Sequence, residues 1–274
     1  MIVGLMMLVG GAVTGVFGSL LGLGGGVLIV PLLTFGFGLP LREAVGVSLV
    51  CVIMTSSAAA GVYLERHVAN LRLGMTLEMF TALGALAGGS IAFLLDERLI
   101  SLLFAGLLGY VALTMARAKP AATLEAATVV AEPVAGEAGR PTLLERLSGN
   151  EYRIRNLGRG VVGAVVAGIA SALLGIGGGI VKVPLMHLAM GVPLRVATAT
   201  SNLMIGITAA ASTVIYVIHG GIDPYVAGPT AIGVFLGATA GSRLGHRVDL
   251  GLLRWLFVVV LGYTAVQMLL RVAA

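Results

Sequence analysis

The sequence has little charge, few aromatic residues and almost no cysteine. Only 11% of its 274 residues are Asp, Glu, Lys or Arg, and only 5% are aromatic. The single cysteine, Cys51, excludes an intramolecular disulfide and a multi-cysteine metal site. The chain also lacks paired catalytic carboxylates, a Ser/His/Asp pattern, metal-spaced histidines and a Walker motif. We therefore expect no enzymatic activity and no cofactor.

The chain is rich in apolar residues, which make up 58% of its composition. Its mean hydropathy is +1.05. The uncharged runs repeat at lengths near the ~20 residues that cross a bilayer as a helix. They lack the alternating pattern of membrane β-strands. The sequence therefore predicts an all-α, multi-pass integral membrane protein of the cytoplasmic (inner) membrane, with the lipid bilayer as its surroundings.

The net charge of +5 does not indicate a nucleic-acid partner, because the basic residues are spread over short loops between the apolar runs. A composition shift marks one linker between two membrane parts. We predict a first membrane repeat at 1–116, a cytoplasmic linker at 117–159 and a second membrane repeat at 160–274. The predicted segments are 2–20, 27–39, 44–64, 74–95, 99–116, 160–174, 179–192, 196–218, 225–242 and 252–271.

The two parts on either side of the linker are copies of one another. Aligning "LLGLGGGVLIVPLL" with "LLGIGGGIVKVPLM" places Pro31 on Pro184, an offset of 153 residues. Between 20–48 and 173–201, 15 of 29 positions are identical at this offset, without a gap. Chance similarity between apolar helices does not keep register on so many glycines and prolines, so the sequence contains an internal duplication.

Charge indicates how the two copies are oriented. If each glycine-rich region returns to the side from which it came, the halves are inverted, with 13 Lys or Arg inside and 3 outside. If each region crosses once, the halves are parallel and the count is 10 against 6. The positive-inside rule favours two inverted repeats of about five segments each. Inverted repeats with broken helices are a design of secondary transporters, which hold substrate where the breaks meet.

The duplicated glycine run, GxGGG, is the strongest local signal. Consecutive glycines weaken a continuous helix by about 1 kcal/mol each relative to alanine. Close helix packing does not require glycines in a row, so we interpret residues 22–26 (the first break) and 175–179 (the second break) as unwound segments. A break exposes backbone N–H groups that suit an anion. The stretches "GALAG" (84–88) and "GATAG" (237–241) instead predict close helix packing.

Polar residues near the breaks complete the predicted site. Lys182 lies in an apolar segment, where a charge indicates either function or a side chain that reaches the membrane surface. Arg42, Arg195 and His187 are predicted to gate or guide an anion, with helix-end anchoring (Arg42, Arg195) or a structural role (His187) as the alternative. The predicted substrate-binding residues are Gly22, Gly24, Gly25, Gly26, Ser48, Gly175, Gly177, Gly178, Gly179, Lys182, Ser201 and Asn202. No metal ligands are predicted.

Two further residues have competing interpretations. Glu78 is the one acid well inside a predicted segment, and we place it near the inner membrane edge rather than at a proton site. Cys51 is interpreted as a buried apolar residue rather than a redox thiol.

The motifs resemble one transporter family. "LGLGGGVLIVP" and "LGIGGGIVKVP", the following "PLREAVGVS" and "PLRVATATS", and "GSRLGHRV" in the last third are similar to the sulfite exporter TauE/SafE family, also called the toluene sulfonate uptake permease family. The resemblance covers the chain except its linker. It implies transport of small sulfur-containing anions such as sulfite, sulfonates or sulfoacetate.

We therefore predict a secondary transporter for a small anion, working by alternating access and driven by an ion gradient or by the substrate's own gradient. A proton is the possible coupling ion, and the sequence leaves a homo-oligomer open. The alternatives are an anion channel with the glycine breaks as its filter, or a membrane-embedded accessory protein with the linker as docking site.

Overall fold

The computed structural model describes residues 2–21, 25–65, 69–117, 154–244 and 250–273. These residues form helices and connecting turns, with no β-strand among them. Ten α-helices follow one another along the described chain. They are α1 (Ile2–Leu21), α2 (Gly26–Pro31), α3 (Leu41–Glu65), α4 (Leu71–Leu94), α5 (Glu97–Arg117), α6 (Leu157–Leu174), α7 (Gly179–Pro184), α8 (Leu194–Ile218), α9 (Pro224–Leu244) and α10 (Leu250–Ala273).

The predicted segments are confirmed, and the same order of five helices occurs twice. Six of the described helices, α1, α3, α4, α5, α6 and α8, contain windows long and apolar enough to cross a membrane. Large apolar side chains also remain exposed on the outside, among them Leu94 and Leu188. A surface of this kind is suited to lipid. Residues 118–153, which make up most of the predicted linker, lie outside the described residues.

Each glycine run interrupts the helices where the sequence predicts. In the first half α1 ends at Leu21 and α2 starts at Gly26, and in the second α6 ends at Leu174 and α7 starts at Gly179. Both short helices continue as π-helical turns, over Leu32–Gly36 and Leu185–Ala189. Within the two breaks, Gly25, Gly177 and Gly178 have positive φ values of 73°, 74° and 76°. Left-handed backbone is costly for any residue with a Cβ, so glycine is required there.

The short helix α2 turns back along α1 rather than continuing it. Leu32 contacts Gly10 in the middle of α1, and Phe17 and Leu28 line one apolar groove that is closed by α10. The chain therefore returns towards the side from which α1 started before α3 begins.

The first helix of each half packs against the fourth helix of the other half. Helix α1 lies along α9, where Gly237 lies so close to the Ala12 carbonyl that a Cβ would overlap it. Helix α4 lies along α6 in the same way, with Gly84 against the Val165 carbonyl. The close packing predicted for both small-residue stretches is therefore observed.

These contacts divide the helices into two packing groups that cross the sequence halves. Group A contains α1, α2, α3 and α9, and group B contains α4, α6, α7 and α8, while α5 pairs with α10. Helices α3 and α8 join the groups and run antiparallel, because Gly46 lies near Tyr216 while Ser56 bonds to Asn202. Each group thus combines three elements of one half with the fourth helix of the other.

Candidate functional site

The two glycine breaks meet at the contact between the packing groups. A Cβ placed on Gly26 would overlap the carbonyl oxygen of Gly175, so only glycine allows this approach. Ser48 on α3 holds the contact: its hydroxyl donates to Gly175 O at 2.7 Å and lies 3.3 Å from Gly26 O. One buried serine therefore connects the start of α2 to the end of α6.

The second break carries a buried cation. Lys182 lies one turn into α7, with Cε 3.4 Å from where a Cβ on Gly178 would be. The same point lies 3.3 Å from the Cβ of Ser171 on α6 and 3.0 Å from the Ala167 carbonyl. The lysine stem thus passes along the glycine of the break, and its ammonium lies beyond it in the protein interior.

Lys182 forms an ion pair with Glu78 across the two sequence halves. Its Nζ lies 3.2 Å from Glu78 Oε2, and the side chains are 1% and 5% exposed, respectively. Thr208 on α8 bridges the pair, since its hydroxyl accepts from Lys182 Nζ and lies within bonding distance of Glu78 Oε1. Buried charges are stable only when they are paired and hydrogen-bonded, and these two are.

Two buried hydroxyls beside the second break have no hydrogen-bond partner among the described residues. They belong to Ser171 and Ser201, and both residues are fully buried. The Ser201 hydroxyl lies 3.7 Å from where a Cβ on Gly179 would be. Buried hydroxyls without partners are uncommon and call for an explanation such as a missing ligand. Together with Lys182 they place three hydrogen-bonding side chains around one pair of glycines.

The equivalent place at the first break has no ion pair. At the repeat offset, Lys182 corresponds to Ile29, Glu78 to Ala231 and Ser171 to Gly18. Ile29 Cδ1 lies 3.7 Å from where a Cβ on Gly25 would be, so it occupies the position that the lysine stem has beside Gly178. Ser201 corresponds to Ser48, whose hydroxyl is bonded. The duplicated fold therefore has one break with a buried ion pair and one without.

The other predicted binding residues are distributed around this contact. Gly25, Gly26, Gly175, Gly177 and Gly179 are all buried. Asn202 is buried on α8, and its backbone carbonyl accepts from Ser56. Gly22 and Gly24 lie outside the described residues.

Two of the three predicted gating residues bond to backbone carbonyls elsewhere in the fold. Arg42 donates from Nη2 to Leu95 O at 2.9 Å, which ties the start of α3 to the end of α4. His187 is exposed in the second π-helical turn, where Nδ1 donates to Val192 O at 2.9 Å. Arg195 lies in the first turn of α8, and its side chain is outside what the structure describes.

Sequence reasoning missed Glu78, Thr208 and Ser171 as members of this cluster. Glu78 was not included in the predicted site, and in the structure it is a buried partner of Lys182. The available signal was electrostatic, because a buried lysine requires a buried acid and Glu78 is the one candidate inside a span. Ser171 had no such signal. In the described part of the chain, no group of three or more His, Cys, Asp or Glu could hold a metal.

Helices of membrane-crossing length, lipid-suited surfaces and buried charges between broken helices define a multi-pass α-helical membrane protein. The family model described as "Sulfite exporter TauE/SafE" matches residues 7–268. The chain therefore belongs to the TauE/SafE family and is a membrane transporter.

Curated relatives agree with this assignment. The probable membrane transporter protein YunE of Bacillus subtilis is 26% identical over 252 residues, covering 89% of each chain. A probable membrane transporter protein of Methanocaldococcus jannaschii is 26% identical over 283 residues, covering 97% of this chain and 95% of the relative. A further one from Xylella fastidiosa is 28% identical over 240 residues, covering 87% and 84%. No solved structure matches the chain significantly.

Proposed function

We propose that the protein is a secondary transporter of small sulfur-containing anions, of the sulfite, sulfonate or sulfoacetate class, in the cytoplasmic (inner) membrane. The observation that carries this proposal is the buried side chain of Lys182 beside the second break, together with the unpartnered hydroxyls of Ser171 and Ser201 beside the same glycines. The family name supplies the chemical class of the anion.

The cluster has hydrogen-bond donors to offer an oxyanion. A lysine ammonium has three N–H donors, and two of these bind Glu78 and Thr208. Among the described residues, the third N–H and the two serine hydroxyls have no acceptor. A sulfite or sulfonate group presents three oxygens as acceptors, which match these donors in number. Charge-assisted hydrogen bonds of this kind are the stronger ones.

The proposed transport mechanism is alternating access between two inverted halves. The antiparallel contact of α3 with α8 and the return of α2 along α1 support inversion, as does the positive-inside count of the sequence. Because α1 and α4 each pack on the opposite half, the moving bodies would be groups A and B rather than the sequence halves. The two breaks meet between these groups, so a relative movement would open the site to one side at a time.

Uptake into liposomes containing the purified protein tests this function. We expect saturable uptake of sulfite, methanesulfonate or sulfoacetate, and none of acetate or chloride. Lys182→Met should abolish this uptake because it removes the cation. Ile29→Met, the matched replacement at the equivalent position of the first half, should retain it.

Three results would contradict the proposal. Uptake of none of the sulfur anions, or sulfite uptake unchanged in Lys182→Met, would remove the assigned substrate or site. An anion flux that rises without saturation, with single-channel currents in planar bilayers, would indicate the channel alternative instead.

A further inference from the structure

We propose that Glu78 is an internal competitor of the transported anion, and that it takes up one proton each time an anion binds to Lys182. This inference rests on the proposed function and adds its coupling ion. It depends on three observations: the buried ion pair, the bridging hydroxyl of Thr208 and the unpartnered hydroxyls of Ser171 and Ser201.

Charge balance is the first argument. In the structure the ammonium of Lys182 and the carboxylate of Glu78 give the buried cluster a net charge of zero. An incoming monoanion would make that charge negative, in a place where an uncompensated charge is strongly disfavoured. If the Glu78 carboxylate accepts a proton from solvent as the anion enters, the net charge stays at zero. One anion and one proton are then bound together, and both leave together on release.

Thr208 allows this exchange without losing a hydrogen bond. In the ion-paired state its hydroxyl accepts from Lys182 and donates to Glu78 Oε1. Its oxygen also lies 3.1 Å from the carbonyl of Met204, one turn earlier on α8. Once Glu78 carries a proton, the carboxyl group donates to Thr208, and the Thr208 hydroxyl donates to Met204 instead. The carboxyl proton therefore has an acceptor within the cluster.

The other charged groups on neighbouring elements do not take this role. Helices α4 and α6 carry Arg72 and Arg159, both exposed near the first turns of these helices. On α8, Arg195 lies in the first turn with its side chain outside the described part, and His219, just after the helix, bonds to Ile215 O. His187, after α7, is bonded to Val192 O. Among the described side chains, Lys182 is the one charged group in ion-pair distance of Glu78.

The first break has no ion pair, which indicates a single coupling site. Because Ile29 and Ala231 stand in place of the lysine and the glutamate, the surroundings of the first break offer neither a cation for the anion nor a carboxylate for the proton. We therefore expect one proton for each anion bound.

Isothermal titration calorimetry counts these protons directly. Purified protein is titrated with methanesulfonate and with sulfite near pH 7, in two buffers with different enthalpies of ionisation. The difference between the two observed enthalpies gives the number of protons taken up. Methanesulfonate keeps its charge between pH 6 and pH 8, so its protons are bound by the protein; for sulfite, the difference between wild type and Glu78→Gln is the measured quantity.

We expect about one proton per methanesulfonate in the wild type, with the Kd rising up to about tenfold per pH unit as the pH increases. Glu78→Gln removes the competitor, so its proton uptake should fall to zero and its affinity at pH 8 should be about tenfold higher than that of the wild type. Ile29→Met should behave as the wild type does. The double variant Lys182→Met/Glu78→Gln, which keeps no buried charge, should stay folded and bind neither anion.

Each contrary result has its own meaning. Anion binding with no proton uptake in the wild type overturns the competitor role and leaves the proposed transport function intact. Binding that is lost in Glu78→Gln while the variant stays folded also overturns it, because Glu78 would then support the anion rather than compete with it. If the wild type binds neither anion, the proposed function fails and this inference fails with it.

Discussion

Breaking the ion pair between Lys182 and Glu78 should cost far more stability than removing it altogether. At the observed separation of 3.2 Å, two unit charges attract by about 5 kcal/mol at an effective dielectric constant of about 20. Both side chains are almost fully shielded, so a single replacement leaves a buried charge without a partner. Removing one partner of a buried pair costs about 3–5 kcal/mol.

We expect Lys182→Met and Glu78→Gln each to lower the free energy of unfolding by about 3–5 kcal/mol in the absence of anion. The double variant should recover most of this loss and come within about 2 kcal/mol of the wild type, because neutral replacement of a buried pair is often close to neutral in stability. Reversible unfolding by sodium dodecyl sulfate in mixed micelles, followed by circular dichroism, measures all four proteins.

The same unfolding experiment includes a matched control variant. Ile29→Met changes the equivalent position by a volume-conserving apolar replacement and should cost less than about 1.5 kcal/mol. If the two single losses instead add up in the double variant, the side chains do not interact. The ion pair would then not be the feature that stabilises the second break.

Three further predictions concern single positions. Gly178→Ala and Gly220→Ala both place a Cβ on left-handed backbone, at φ 76° and 66°, and each should lower the free energy of unfolding by about 1–2 kcal/mol. Gly220 has open space around it, whereas Gly178 lies beside Lys182. Only Gly178→Ala should therefore reduce the thermal stabilisation that sulfite gives. Ser48→Ala should lower the melting temperature because its hydroxyl bonds a buried carbonyl, whereas Ser201→Ala should leave the melting temperature unchanged without anion and weaken sulfite binding in calorimetry. Cys51 is fully buried, so a maleimide should label it only after denaturation, as mass spectrometry would show.

The sequence predicts the helices and their breaks well for physical reasons. Apolar runs of bilayer-crossing length that lack the alternating pattern of barrel strands are stable in lipid only as helices, so their boundaries follow from where charge and proline appear. Consecutive glycines cannot stabilise a continuous helix, and the structure places left-handed backbone at Gly25, Gly177 and Gly178. The internal repeat follows from the constant offset of 153 residues between the two glycine motifs.

Local sequence patterns do not predict which helices contact each other. Nothing in the sequence of α1 indicates that it packs on α9 rather than on its own half, because small residues permit several partners. The partner of Lys182 lies on α4, 104 residues away in sequence, and was therefore assigned to the membrane edge. The unpartnered hydroxyl of Ser171 depends on how α6 faces the break, which only the assembled helices determine.

The position of a bound anion tests the central claim most directly. Selenite has the shape and charge of sulfite, and selenium gives an anomalous diffraction signal that locates it without an assumed model. In crystals soaked with selenite, we predict a peak within hydrogen-bond distance of Lys182 Nζ and Ser201 Oγ, and none beside Ile29. A peak elsewhere, or no peak under conditions in which selenite competes with sulfite uptake, would contradict the assignment of the second break as the anion site.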